Sequence, residues 1–225
     1  MLKQLQLESI IAQSFASKER AISRYVNANK AKYRAFAMKI TPDLDNPFEV
    51  WDRIAFAILS ANCAFEQGVR ALAYATECKG SAEAQVIVKF GMVPRKAEFI
   101  NQLPVGSGIF ALLKSESEDW NQYRLRLKNT VLGLGLAKAS FAACLLYPLE
   151  ADLGCVDTHI CKIYLRVSHF TKLGVANYLK VEAKIRAIAL KAKINTFLAQ
   201  WLIWDHTRGL VSDHNIFPGA HKGVA

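Results

Sequence analysis

The sequence predicts an all-α protein, and three observations carry that reading. Apolar residues recur at helical spacing almost throughout, whereas strand-like alternation is scarce. Proline, glycine and short polar clusters interrupt the pattern at intervals that suit helices of roughly 8–20 residues. The composition, 52% hydrophobic and 21% charged, is that of a folded globular chain. Its 225 residues suffice for a large core, as one domain or two tightly joined lobes.

Residues 1–38 read as one or two amphipathic helices with a basic face of Lys18, Arg20, Arg24, Lys30, Lys32 and Arg34. Pro42 and Pro47 punctuate the acidic linker T-P-D-L-D-N-P. Asn46 is placed to cap the helix that Pro47 opens, because its side-chain oxygen accepts from a first-turn amide and proline has no amide to leave unpaired. That helix carries an apolar stripe through Val50, Ile54, Ile58 and Leu59. A helix over 65–76 follows Asn62 and Cys63. Residues 81–90, 95–103 and 109–113 predict short helices between glycine- and proline-marked turns, and 116–131 a longer one. The turn Leu132-Gly133-Leu134-Gly135 leads into a very apolar helix over 136–146. After a loop over 148–154, Asp157 is placed to cap the helix T-H-I-C-K-I-Y-L-R-V over 158–167. Helices over 175–191 and 195–209 complete the fold. There is no internal repeat of 20–50 residues and no low-complexity tract.

Twenty-nine Lys and Arg against 19 Asp and Glu leave a net charge of +10, which favours a polyanionic partner such as nucleic acid or an anionic membrane surface. No apolar stretch approaches the roughly 18 residues needed to span a bilayer. The N-terminus lacks the continuous apolar core of a signal peptide. The expectation is a monomeric, intracellular protein that is not secreted and has no membrane partner. Cys63, Cys78, Cys144, Cys155 and Cys161 are odd in number and none is two residues from another, so neither a zinc site nor a disulfide framework is predicted.

The most informative segment is N-T-V-L-G-L-G-L-A-K-A-S-F-A-A-C, residues 129–144. Two glycines one residue apart, joining two helices, make a tight hairpin that a phosphate can approach closely. The N-terminus of the following helix offers that anion unpaired amides and a positive dipole end. Helix–helix turns often contain glycine, so the hairpin gains meaning from G-C-V-D-T-H-I-C at 154–161, joined to it through the loop Y-P-L-E-A-D-L-G.

This pairing of Gly133 and Gly135 with Asp157 resembles the helix-hairpin-helix, Gly/Pro-rich loop, Asp signature of the helix-hairpin-helix DNA glycosylase superfamily. Three further stretches agree in order: I-L-S-A-N-C-A-F-E-Q-G-V-R-A at 58–71, G-M-V-P-R-K-A-E-F-I at 91–100 and L-A-Q-W-L-I-W-D-H-T-R-G at 198–209. The last is similar to the C-terminal helix of the small archaeal-type 8-oxoguanine DNA glycosylases. The resemblance spans about residues 48–210. It implies a two-lobed helical fold with the active site between the lobes. Residues 1–47 would pack with the C-terminal lobe, 48–156 would form a domain ending in the hairpin (129–146), and 157–225 would complete the second lobe.

The resemblance makes Asp157 the catalytic carboxylate. Glycosidic cleavage builds positive charge on the deoxyribose, which a nearby carboxylate stabilises while orienting or deprotonating a nucleophile. A plain helix N-cap is the alternative. Strand-cutting members carry a Schiff-base lysine four residues after the first glycine. That position is Ala137 here, with Lys138 next to it, and one residue turns a helical side chain by about 100°. Lys138 is therefore expected to point away from the pocket, toward a phosphate, and lyase activity is expected to be inefficient. Asn62 falls where the family places a wedge that fills the hole left by a flipped base, though a helix C-cap is as natural a reading. Lys128, Arg124 and Arg126 are expected to steer DNA by charge, or to form a solvated helix face. His159 reads as a phosphate contact or a structural histidine. Trp201, Trp204, Asp205 and Arg208 are expected to line the base pocket, where rings stack on a flipped base. A core role for at least one of the tryptophans and a helix-surface pair of Asp205 with Arg208 are the alternatives. No cysteine follows Cys161, so the iron–sulfur cluster of some members is not expected, nor is any other cofactor or metal.

Three activities fit these residues. The first is a monofunctional glycosylase acting on double-stranded DNA with a damaged or modified base, at the nucleoid or in phage-infected cytoplasm. The second is a phage DNA-hypermodification enzyme of the α-glutamyl/putrescinyl-thymine pyrophosphorylase kind, which replaces pyrophosphate on 5-hydroxymethyl-uracil with an amine or amino acid. The third is a non-catalytic DNA-binding protein that keeps only the hairpin.

Overall fold

In the computed structural model, residues 2–78, 81–165 and 174–209 are described, with residues 2–16, 158, 162 and 165 as backbone only. The described residues form ten α-helices and one 3-10 helix, with no strand. In chain order they are α1 (Leu2–Ile40), α2 (Pro47–Leu59), α3 (Phe65–Glu77), α4 (Ala84–Lys89), α5 (Arg95–Asn101), the 3-10 helix Gly106–Leu112, α6 (Trp120–Thr130), α7 (Leu136–Leu146), α8 (Thr158–Leu165), α9 (Val175–Ala192) and α10 (Thr196–Arg208).

The helix starts follow side-chain caps. Asn46 Oδ1 accepts from the Phe48 amide at 3.0 Å, and Asn195 Oδ1 from the Leu198 amide at 2.9 Å. α6 starts later than the periodicity suggests because Asp119 and Gln122 form a capping box: Asp119 Oδ1 accepts from the Gln122 amide at 2.8 Å while Gln122 Oε1 accepts from the Asp119 amide at 2.9 Å. Gly209, in the left-handed region at φ 64°, ends α10. The described part of the segment read as one or two helices over 1–38 does not divide; α1, Leu2–Ile40, is one helix of 39 residues. The segment expected as a helix over 109–113 winds instead as a 3-10 helix, and the last two residues of the helix predicted over 158–167 lie outside the described residues.

α2 is the central element. Its stripe of Val50, Ile54, Ile58 and Leu59 is fully buried, and it packs against α7, α3 and the 3-10 helix. α7 can approach closely because its inner face is small: Ala139, Ala142, Ala143 and Cys144 have no exposed surface. α1 lies along α10 and α9. The Phe36 ring meets Trp201 edge-on at 4.8 Å, the Tyr33 hydroxyl donates to Asp205, and Lys30 Nζ donates to the Ala192 carbonyl at 2.8 Å, closing the C-terminal end of α9. Lys18, Arg20, Arg24, Lys32 and Arg34 remain exposed along α1. Among the described residues no helix is long and apolar enough to cross a membrane.

Candidate active site

A cleft of about 720 Å³ opens where four segments converge: the turn after α2, the hairpin between α6 and α7, the loop before α8, and one face of α10. The hairpin is built on glycine at two positions for different reasons. Gly133 has φ +86°, and a Cβ there would lie 2.5 Å from Cδ2 of Phe99, so both backbone and packing demand glycine. Gly135 is the N-cap of α7 with an ordinary φ of −79°, and a Cβ there would meet no protein atom within 4 Å. The space before it is open, and no side chain caps the first-turn amides of α7.

Across the cleft, Lys96 is buried at the end of α2. Its ammonium donates to the carbonyls of Leu59 at 2.6 Å and Ala61 at 2.5 Å, a cation at the negative end of a helix. Burial lowers the Lys96 pKa below the ordinary lysine value. Beyond this clamp Ser60 takes the C-cap, and Asn62 adopts the left-handed region at φ 53° with its side chain exposed at the cleft wall.

Asp157 caps α8 as expected, and its carboxylate faces the cleft. Oδ1 accepts from the Ile160 amide at 2.9 Å and Oδ2 from the Trp204 indole N–H at 2.9 Å. The backbone just before it is held by buried polar side chains from three other helices. The Gly154 amide donates to Glu182 Oε1 at 2.9 Å, and that oxygen also pairs with Arg124 Nη1 at 2.8 Å. The Tyr178 hydroxyl donates to the Gly154 carbonyl at 2.5 Å, accepts from the Val156 amide at 3.3 Å and touches Ser140 Oγ at 3.0 Å.

Neighbouring thiols do not compete as nucleophiles. Burial pushes Cys155 up to about 12, against a smaller downward pull from Lys138, and burial likewise pushes Cys161 up to about 12, so both stay protonated at neutral pH. Among the described residues no group of three or more His, Cys, Asp or Glu could hold a metal ion.

α10 lines the cleft through Phe197, Gln200, Trp201, Trp204 and Arg208, beside Val175 and Tyr178 of α9. Trp201 serves core and cleft together, since it is 8% exposed and packs against Tyr33, Phe36 and Phe197. Arg208 stands over the Trp204 ring at 4.3 Å. Gln200 is 7% exposed and its buried Oε1 has no hydrogen-bond partner. The sequence reading missed this residue; the one signal was an amide inside the apolar run L-A-Q-W-L-I-W.

Three expectations are corrected. Asp205 does not line the cleft and does not pair with Arg208 along the helix surface; it is fully buried and accepts from Tyr33, which fastens α10 to α1. Arg124 does not face DNA, being buried against Glu182, while Arg126 pairs with Glu118 and donates to the carbonyls of Ala111 and Leu113. Lys138 does not point away: it lines the cleft, donating to Ser60 Oγ at 2.9 Å with its ammonium 5.0 Å from the Phe141 ring centre. Ala137 also lines the cleft, as does the exposed His159, while Lys128 is exposed on the last turn of α6.

No family model and no curated protein sequence matches this chain. Solved structures do. The 8-oxoguanine DNA glycosylase of Thermotoga maritima superposes with a TM-score of 0.71 at 20% identity, covering 88% of this chain and 100% of that one. The Methanocaldococcus jannaschii 8-oxoguanine glycosylase/lyase, bound to a 15mer DNA containing 8-oxoguanine, gives 0.69 at 17% identity over 86% and 100%. A second structure of the 8-oxoguanine DNA glycosylase of M. jannaschii gives 0.70 at 18% over 87% and 96%. At these identities the likeness is one of fold: the chain has the helical architecture of 8-oxoguanine DNA glycosylases.

Proposed function

We propose that this protein is a monofunctional DNA glycosylase, which flips a modified base from duplex DNA into the cleft and hydrolyses its glycosidic bond at Asp157. The observation that carries the reading is the Asp157 carboxylate, fixed by two hydrogen bonds in a cleft that holds an open glycine hairpin and an aromatic helix face. A backbone phosphate docks before Gly135 on the α7 amides. Lys138 and His159, at the cleft, and Lys128, on the rim beyond it, add charge. Asn62 occupies the gap left in the duplex, and the extruded base lies against Trp204 and Trp201.

The pocket also selects chemically. A buried amide oxygen without a partner costs free energy until a donor reaches it, so Gln200 favours a base that presents an N–H at that edge. The C1′–N bond breaks as positive charge grows on the sugar, which Asp157 stabilises. The base leaves with the electron pair of the C1′–N bond and takes up a proton from solvent, while water adds to C1′ and its proton passes by way of Asp157 to solvent. Lys138 takes no covalent part in this scheme. Its Nζ donates to Ser60 Oγ at 2.9 Å and lies 5.0 Å from the Phe141 ring centre.

All three neighbouring structures are of 8-oxoguanine glycosylases by name, one of them named a glycosylase/lyase, so 8-oxoguanine is the first base to offer. The test is mass spectrometry after incubation with duplexes carrying single modified bases, 8-oxoguanine and pyrophosphorylated 5-hydroxymethyl-uracil included. Free base with an intact strand and no borohydride-trapped adduct is the expected result. An enlarged nucleoside, or a trapped lysine adduct, contradicts the reading.

A further inference from the structure

The proposed chemistry requires Asp157 to aim one carboxylate at a sugar, and a helix cap alone does not do this. The cap bond from the Ile160 amide fixes Oδ1. Rotation about the Cβ–Cγ bond of aspartate is broad, so a single contact leaves the plane of the carboxylate loosely set. The second oxygen is held by something outside α8: the indole N–H of Trp204, from α10, at 2.9 Å. That bond joins residues 47 positions apart in the chain and is charge-assisted, the stronger class. Each carboxylate oxygen has two lone-pair sites, so both remain able to face a water or the sugar after accepting one bond apiece.

The same ring belongs to the base pocket. Trp204 lines the cleft and is only partly buried, and Arg208, which also lines it, stands over the ring at 4.3 Å. We propose that Trp204 is a positioning residue for Asp157: its indole N–H sets the carboxylate plane, so that one ring both receives the extruded base and aims the group that acts on it. The inference rests on the glycosylase reading for its consequence, but the contact itself is measurable without turnover. A base that seats badly on Trp204 displaces the indole and with it the carboxylate, which links base fit to rate as well as to affinity.

Trp204→Phe separates the two duties, since it keeps an aromatic face and deletes the donor. In single-turnover base release, Trp204→Phe is expected to lose between about tenfold and a hundredfold in rate, the usual cost of a small misplacement of a reacting group. The DNA concentration for half-maximal rate should stay as in the unmodified protein. An unchanged rate, or an equal loss through weaker DNA binding alone, overturns the proposal. The independent readout is the indole ¹H–¹⁵N resonance of Trp204 in the full chain, identified by its disappearance in Trp204→Phe. It is expected to move upfield in Asp157→Asn as the charged acceptor is replaced. An unmoved resonance overturns the proposal whatever base release shows. Absence of base release by the unmodified protein, with the resonance shifting as expected, counts against the glycosylase reading and leaves the contact standing.

Discussion

The hairpin over 131–135 and the loop over 154–157 meet in one cleft but are held by opposite means. The hairpin is set by backbone conformation: Gly133 sits at a φ closed to most residues, Phe99 packs where its Cβ would be, and Leu134 is buried beneath the turn. The loop is set by buried polar side chains, with Arg124 and Glu182 each at most 3% exposed and Tyr178 bridging Gly154, Val156 and Ser140. On the proposed function, the difference follows from what each presents. A hairpin that grips a phosphate offers backbone amides and needs side chains out of the way. A loop that delivers one carboxylate must fix a side chain in direction as well as place, and directional fixing calls for hydrogen bonds.

The contrast can be broken from either side. Glu182→Ala strikes the loop hardest, because it strands a buried guanidinium and frees the Gly154 amide. Loss of one partner of a buried pair costs about 3–5 kcal/mol, to be read as a lowered urea midpoint. Gly133→Ala comes next: the positive φ and the Phe99 contact together should cost about 1–3 kcal/mol and weaken duplex binding as the turn deforms. Gly135→Ala should change stability by less than about 0.5 kcal/mol, since its Cβ meets no protein atom, yet weaken duplex binding by obstructing the α7 amides. Equal stability losses at the two glycines would remove the distinction between a structural and a phosphate-facing position. The smallest effect belongs to Lys128→Ala, which should lower the slope of log affinity against log salt by about 1 without altering base preference.

Much of the fold was legible because its punctuation is local. Asn46 and Asp157 each mark a helix start through chemistry confined to three or four residues. The misreadings share the opposite property. R-L-R-L-K looks like a basic face, and nothing nearby reveals that Arg124 meets a carboxylate 58 positions away. Asp205 and Arg208 have helix-pair spacing, but Tyr33, 172 positions from Asp205, claims the carboxylate. Lys138 shows a different limit. The rotation argument gives the direction of Cβ, whereas the four-carbon stem lets the ammonium reach Ser60. Gln200 went unseen because periodicity ranks positions by polarity and cannot tell a buried amide with a partner from one without.

The central claim is that the carboxylate at position 157 promotes base loss and does not merely cap α8. Asp157→Asn keeps a side-chain oxygen able to cap, so the helix and duplex binding should survive. Base release should be followed under single-turnover conditions beside an equilibrium titration of the same duplex. A fall of about a hundredfold or more in rate with binding held within about twofold is the predicted result. A variant that releases base as fast as the unmodified protein would contradict it.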